Sequence, residues 1–194
     1  MRTVFLLLIV LAATGPALAG PLDTPGAVKA LNCAACHGPG GQSPSETMPI
    51  LAGIWPEYFK KAVEDYAAGR RSSPEMEPYA KQVVQFGVED YAAYFGAQKR
   101  EPARSKADPA AAQRGQSASQ QCVVCHGPAG RGDRAKLIPD ITGQPVGYLQ
   151  SQMLLFKQDK RSPGDDRLKA VKALFKDIPD QTIADLAAYY SSLR

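Results

Sequence analysis

All four cysteines and both histidines of this chain lie in two copies of one pentapeptide, Cys33-Ala34-Ala35-Cys36-His37 and Cys122-Val123-Val124-Cys125-His126. On a helix, residues three apart share a face. The two thiols of each copy can therefore reach one edge of a planar group, and the histidine one step further can turn its ring beneath that group. C-x-x-C-H is the spacing of covalent c-type haem attachment. Two copies with no cysteine or histidine to spare predict two haems. Cys33, Cys36, Cys122 and Cys125 form the covalent links, and His37 and His126 each take one axial position on an iron. The second nitrogen of each imidazole is expected to donate to a backbone carbonyl. Two other chemistries fit this spacing poorly. A redox disulfide between Cys33 and Cys36 belongs beside a βαβ pattern, and strand patterns are scarce here. Zinc sites set a C-x-x-C pair against a distant H-x-x-x-H.

The elements that must position these groups occur twice. Gly26 and Gly115 each stand seven residues before the first cysteine of their pentapeptide, and Gly38-Pro39 and Gly127-Pro128 follow the two histidines. Pro49-Ile50-Leu51-Ala52-Gly53 parallels Pro139-Asp140-Ile141-Thr142-Gly143, Tyr58-Phe59 parallels Tyr148-Leu149, and Arg71 parallels Arg161. Near the ends, Asp90-Tyr91-Ala92-Ala93-Tyr94 parallels Asp185-Leu186-Ala187-Ala188-Tyr189. An offset of 89 to 95 residues is a domain duplication rather than a solenoid repeat. The expected division is domain 1 at 20–97, a Lys-, Arg-, Glu- and Pro-rich linker at 98–108, and domain 2 at 109–194. Domains this small bury a modest core unaided, so a porphyrin would supply much of their apolar mass.

Apolar periodicity makes the chain all-α. Phe59, Ala62, Val63 and Tyr66 fall at helical spacing after Pro56, and Gly69 ends the run; Val88, Tyr91, Ala92 and Phe95 repeat it. Val146, Leu149, Met153 and Phe156 form the matching stripe of the second half. Asp180 reads as the N-cap of a last helix bearing Ile183, Leu186, Ala187 and Tyr190. Ser72–Pro78 reads as a loop. Trp55, Tyr58, Tyr148 and Phe156 are candidates for packing against a haem edge.

Arg2, the apolar run Val4–Ala13 and Ala17-Leu18-Ala19 make residues 1–19 a cleavable secretory signal peptide. Its apolar core is too short for a good membrane span, and no later stretch is long and apolar enough. The mature chain is expected in the periplasm, with at most peripheral membrane contact. Without Arg2 it carries 22 basic and 19 acidic residues, and about four haem propionates would bring it near neutrality. That balance excludes nucleic acid as a partner. The scattered Arg70, Arg71, Lys99, Arg100, Arg104, Lys169 and Lys172 read mostly as solvated, a few as partners for propionates.

The two C-x-x-C-H-G motifs, Pro49–Gly53, Tyr58-Phe59 with Arg70-Arg71, and Asp185-Leu186-Ala187-Ala188-Tyr189-Tyr190 resemble dihaem class I cytochromes c of the cytochrome c-four family. The related dihaem subunit of flavocytochrome c sulfide dehydrogenase shares the likeness. The resemblance spans nearly the whole mature chain. It implies two tandem class I cytochrome c domains, each wrapped round one covalent haem, that carry single electrons between a donor dehydrogenase and an acceptor such as a terminal oxidase. The expected partners are redox proteins, a flavoprotein subunit among them. The alternatives are the cytochrome subunit of a sulfide-oxidising flavoprotein dehydrogenase, or a small-ligand-binding or redox enzyme using an open second haem. With no histidine left for acid–base work, the chain reads as an electron-transfer protein and not itself an enzyme.

The resemblance also implies a methionine as the second axial ligand of each iron, placed before the last helix of its domain. Met76, twelve residues before Val88, fills that place in the first half. Met48 is its competitor and reads as a packing residue. The equivalent count back from Ile183 reaches Val171. The sixth ligand of the second iron is thus left to Lys169 or Lys172, to Met153, or to no protein group.

Overall fold

Among the described residues of the computed structural model (24, 26–104, 106–162 and 165–194), every regular segment is helical and no strand occurs. The expected signal peptide lies outside the described residues. Ten α-helices form two series of five: α1 (Ala27–Ala30), α2 (Ala34–His37), α3 (Pro56–Ala67), α4 (Met76–Gln85) and α5 (Val88–Ala97), then α6 (Pro109–Ala118), α7 (Val123–His126), α8 (Val146–Lys157), α9 (Lys169–Asp177) and α10 (Asp180–Ser192). The buried faces follow the stripes. Phe59, Val63 and Tyr66 of α3 pack with Val88, Tyr91, Ala92 and Phe95 of α5 in one core. Leu149 and Met153 of α8 pack with Ile183, Leu186, Ala187 and Tyr190 of α10 in another. No buried residue of either core comes from the other half.

Two local expectations are corrected. Asp180 is the first helical residue of α10, after an N-cap at Pro179, and its carboxylate receives the Lys157 ammonium at 2.6 Å instead of a backbone N–H. The stretch Ser72–Pro78 is a loop only as far as Glu75, because α4 opens at Met76 and contains Pro78. Pro78 is tolerated there because the first turn of a helix has no intrahelical use for its N–H groups. Ala80 and Val83 give this helix its buried side.

The helix that leads into each pentapeptide crosses the last helix of its half at a glycine. A Cβ on Gly26 would meet the Asp90 carbonyl oxygen at 2.2 Å, and one on Gly115 would meet that of Asp185 at 2.0 Å. The crossing carries an ion pair in both halves, Lys29–Asp90 at 2.5 Å and the two-pronged Arg114–Asp185 at 2.7 and 2.9 Å. Asp108 caps α6 by accepting from the Ala110 N–H at 3.0 Å.

The segment between the halves is clamped rather than free. Ala103 is buried against Ile50 and Ala52 and donates its N–H to Gly143 at 2.7 Å. Gln42 exchanges two hydrogen bonds with the Glu101 backbone, and Arg100 pairs with Asp140 at 3.5 Å. Gln144 likewise exchanges two 2.9 Å bonds with the Ile50 backbone. These contacts hold the two pentapeptides in a fixed relation.

Candidate haem-binding site

Each pentapeptide begins in a 3-10 turn, Leu31–Cys33 or Ser119–Cys122, and ends in a one-turn helix, α2 or α7. The residues that stop these helices, Gly38 and Gly127, have φ of 72° and 71°, a region other residues rarely adopt. The chain thereby swings away after the histidine and returns through Pro49 or Pro139. There the expected backbone partners stand: His37 Nδ1 donates to the Pro49 carbonyl at 2.9 Å, and His126 Nδ1 to that of Pro139 at 3.1 Å. These bonds fix the tautomer and leave Nε2 with its lone pair. Burial pushes both imidazoles below their usual pKa, against the opposing pull of the proline carbonyls. Both rings are therefore neutral near pH 7, the form that binds iron.

The two pentapeptides open on one continuous cavity of about 1070 Å³. That exceeds the roughly 300–1,000 Å³ of an ordinary small-molecule pocket. Cys33, Cys36, His37, Cys122, Cys125 and His126 all line it, and the four thiols are free. So do Trp55, Tyr58, Tyr148 and Phe156, together with Ile50, Leu51, Phe59, Val83, Ile141, Leu149 and Phe175. Paired thiols, a neutral imidazole and an apolar wall at each end suit a covalently bound haem.

Across the middle of the cavity runs a polar exchange between the halves. Arg71, only 2% exposed, reaches from the first half to Tyr148 Oη at 2.8 Å and to Gln152 Oε1 at 2.9 and 2.6 Å. Arg161 reaches back to Tyr58 Oη at 2.9 Å and to the same Gln152 oxygen at 3.1 Å. The two arginines meet as an antiparallel bridge, with the Ser72 N–H on the Lys160 carbonyl at 3.1 Å. Each guanidinium also lies over a ring of its own half, Tyr66 at 4.5 Å and Phe156 at 4.4 Å. Burial pushes the Tyr58 phenol up, but Arg161 and Arg71 outweigh it and hold the group below its usual value. Burial prevails at Tyr66, whose phenol is pushed up to about 12. Among the described residues neither Arg71 nor Arg161 has a carboxylate partner. A buried cation and a half-buried one on a cavity wall, Arg71 and Arg161, without a carboxylate partner among the described residues, suit a group that brings its own carboxylates, as haem does. Arg71 stood in a group of cations expected to be mostly solvated with a few partners for propionates, and its pairing with Arg161 in the duplication was the signal that could have singled it out.

Residues 112–194 match the family model for cytochrome c. Over 96% of both chains, the protein is 30% identical to cytochrome c4 of Pseudomonas aeruginosa. The chain belongs to the cytochrome c4 family. Its fold is that of the class I cytochromes c. A solved structure of reduced recombinant cytochrome c4 from Pseudomonas stutzeri superposes with a TM-score of 0.77 at 29% identity, covering 86% of this chain and 96% of that one. The thiosulfate dehydrogenase electron acceptor of Stutzerimonas stutzeri is 30% identical, over 84% of this chain and 80% of that protein. Family membership makes this a c-type cytochrome with covalently attached haem, working in electron transfer.

The candidate sixth ligands separate by position. Met76, at the head of α4, lines the cavity and packs on the first core. Met48 also lines it, next to the Pro49 that holds His37. Val171, in the first turn of α9, lines the cavity as Met76 does. Met153 lies on the wall too, buried in the second core at the place Val63 holds in the first. Lys169 is exposed and off the wall. Lys172 is buried but turned aside: its ammonium donates to the Ser162 carbonyl and pairs with Asp159 at 2.7 Å.

Proposed function

We propose that the chain is an exported, periplasmic dihaem carrier that passes single electrons from a donor dehydrogenase to an acceptor such as a terminal oxidase. The observation that carries this reading is the single cavity onto which both pentapeptides open. Cys33 and Cys36 would tether one haem, with His37 and Met76 on its iron; Cys122 and Cys125 would tether the other, with His126 on its iron. Each haem supplies a reversible one-electron iron couple. The domains are those of the duplication, 20–97 and 109–194, joined by segment 98–108, which is clamped at Arg100, Glu101 and Ala103.

The chain's own residues do the rest. The thioether links prevent loss of the group, and the apolar wall keeps water away, which limits reorganisation when charge changes. Pro49 and Pro139 hold the imidazoles at fixed angles. Arg71 and Arg161 offset the propionate charge between the two sites. Cys36 and Cys125 reach the surface, where Val28, Leu31 and Val124 are more than half exposed. Such small apolar rims, one beside each pentapeptide, suit the brief encounters of redox proteins, which bury less than about 1,200 Å². The export signal expected at 1–19 supports the compartment, and among the described residues no helix is long and apolar enough to cross a membrane.

The holoprotein should contain two haems per chain and titrate in two one-electron waves. A Met76→His variant should lower one wave only, by on the order of a hundred millivolts or more, because a thioether paired with histidine raises the potential. A single haem, or movement of both waves, would refute the assignment. A second reading, a dedicated acceptor for one sulfur-oxidising dehydrogenase, is favoured by the likeness to the thiosulfate dehydrogenase electron acceptor. The sulfide-oxidising flavoprotein remains the other donor of that class. Stopped-flow reduction by each enzyme distinguishes them: fast reduction by one alone supports the second reading.

A further inference from the structure

We infer that the haem tethered at Cys122 and Cys125 has no protein ligand opposite His126, and that this position takes a neutral diatomic gas. The inference rests on the two-haem reading above. The duplication itself supplies the reference. Met76 and Val171 stand at equal distance before Val88 and Ile183, each in the first turn of the helix that precedes the last of its half, and both lie on the cavity wall. A thioether has a lone pair to offer a metal, and an isopropyl group has none.

No neighbour takes over that role. Lys172 is the nearest amine in sequence, and its ammonium is engaged by the Ser162 carbonyl and the Asp159 carboxylate at 2.7 Å. Binding a metal would require it to leave both partners and give up a proton. Lys169 is exposed and lies off the wall. Met153 fills the core position that Val63 fills in the other half, so it packs where its counterpart packs. Pro163 and Gly164, which fall outside the described residues, have no ligating side chain.

The wall around Val171 selects the ligand class. Leu174, Phe175 and Phe156 line it, the two rings stacked with centroids 5.8 Å apart and planes 7° from parallel. The guanidinium of Arg161 lies over Phe156 and gives one hydrogen bond to Gln152 and one to Tyr58, towards the exchange between the halves. The side chains of Val171, Leu174, Phe175 and Phe156 carry no hydrogen-bond donor, and a wall built of them favours a neutral ligand over one that needs hydrogen bonds. Carbon monoxide meets this description. Its carbon lone pair would form one bond to ferrous iron, displacing at most a water, with nothing oxidised or reduced.

The test is a carbon monoxide titration of the dithionite-reduced holoprotein, followed by its optical spectrum after the haems have been counted. The expected result is one gas molecule bound per two haems. Val171→Met should abolish binding and double the methionine-to-ferric charge-transfer absorbance per chain, while Val171→Ala should keep binding. Lys169→Ala, Lys172→Ala and Met153→Leu should leave the stoichiometry unchanged. No binding in the natural protein, two molecules bound, or binding that appears only after removal of Lys172, Lys169 or Met153 would overturn the inference. A haem count of one would instead overturn the two-haem reading.

Discussion

In the first half Met76 heads α4 and Ala62 faces the cavity from α3; in the second half the same places hold Val171 and Gln152. Around these differences the halves agree closely. Each has the 3-10 turn and one-turn helix, the left-handed glycine, the proline carbonyl on the histidine, and the glycine crossing with its ion pair. The shared parts fix where a haem is held. The differing parts touch its open face and its boundary with the other half. Gln152 shows why one of these differences is useful. Two guanidiniums brought together by a strict pseudo-twofold would repel each other, and a single amide oxygen accepting from both removes the conflict at the cost of symmetry.

The comparison breaks most sharply at the two crossings. Gly115→Ala would drive a Cβ into the Asp185 carbonyl and separate α6 from α10, helices of 10 and 13 residues. A loss of about 3 kcal/mol is expected. Gly26→Ala meets Asp90 almost as closely, but α1 has only 4 residues and can shift or fray. Its expected cost is smaller, about 1 kcal/mol, including the unfavourable φ. Denaturant unfolding of the two holoproteins measures both, and equal losses would mean that the short α1 is as tightly committed as α6.

The interface should show the next largest effect. Gln152→Ala copies Ala62 into the second half and removes the acceptor shared by the buried Arg71 and the half-buried Arg161. Leaving such donors unmatched costs about 2–3 kcal/mol. Tyr58→Phe and Tyr148→Phe each remove one acceptor from one guanidinium and should cost about 1 kcal/mol apiece. A double-mutant cycle across Tyr58 and Tyr148 should be additive if Gln152 is the only link between the arginines. Strong coupling would show that the arginines move as a unit.

The amino-acid sequence made the repeated chemistry legible and left the relation between the repeats hidden. The pentapeptides, the glycines and the helical stripes are local patterns, and α3, α5, α8 and α10 lie where periodicity put them. Helix α4 escaped because Pro78 signals a break, although a first-turn proline costs little. The burial of Arg71 escaped because its partners Tyr148 and Gln152 are 77 and 81 residues away. The segment 98–108 looked like a tether because its anchors, Gln42, Gly143 and Asp140, belong to the two halves and not to itself. Lys172 had the chemistry of a ligand; only the placement of Asp159 and the Ser162 carbonyl shows where its charge goes.

The smallest difference concerns acid. The first half buries Asp65 on α3, where burial raises its carboxyl pKa but Lys61 and Arg70 bring it below the usual value. The equivalent residue in the second half is Leu155, and the depressed carboxyl at that half's helix crossing is Asp185, held down chiefly by its hydrogen bond from Arg114. A carboxyl whose pKa is lower folded than unfolded contributes stability above its unfolded pKa, near 3.9 for aspartate. It loses that contribution as pH falls through the folded value. Asp65→Asn and Asp185→Asn should therefore each be less stable than the natural protein at pH 7 and should each flatten the fall in stability below about pH 4. Unfolding midpoints measured from pH 7 to pH 2 test this, with absorbance of each haem reporting its own half. If the two carboxyls belong to separately packed halves, Asp65→Asn should flatten the response of the His37 haem and Asp185→Asn that of the His126 haem. Flattening of both responses by either variant would mean that the clamped segment and the arginine exchange make the two halves unfold together.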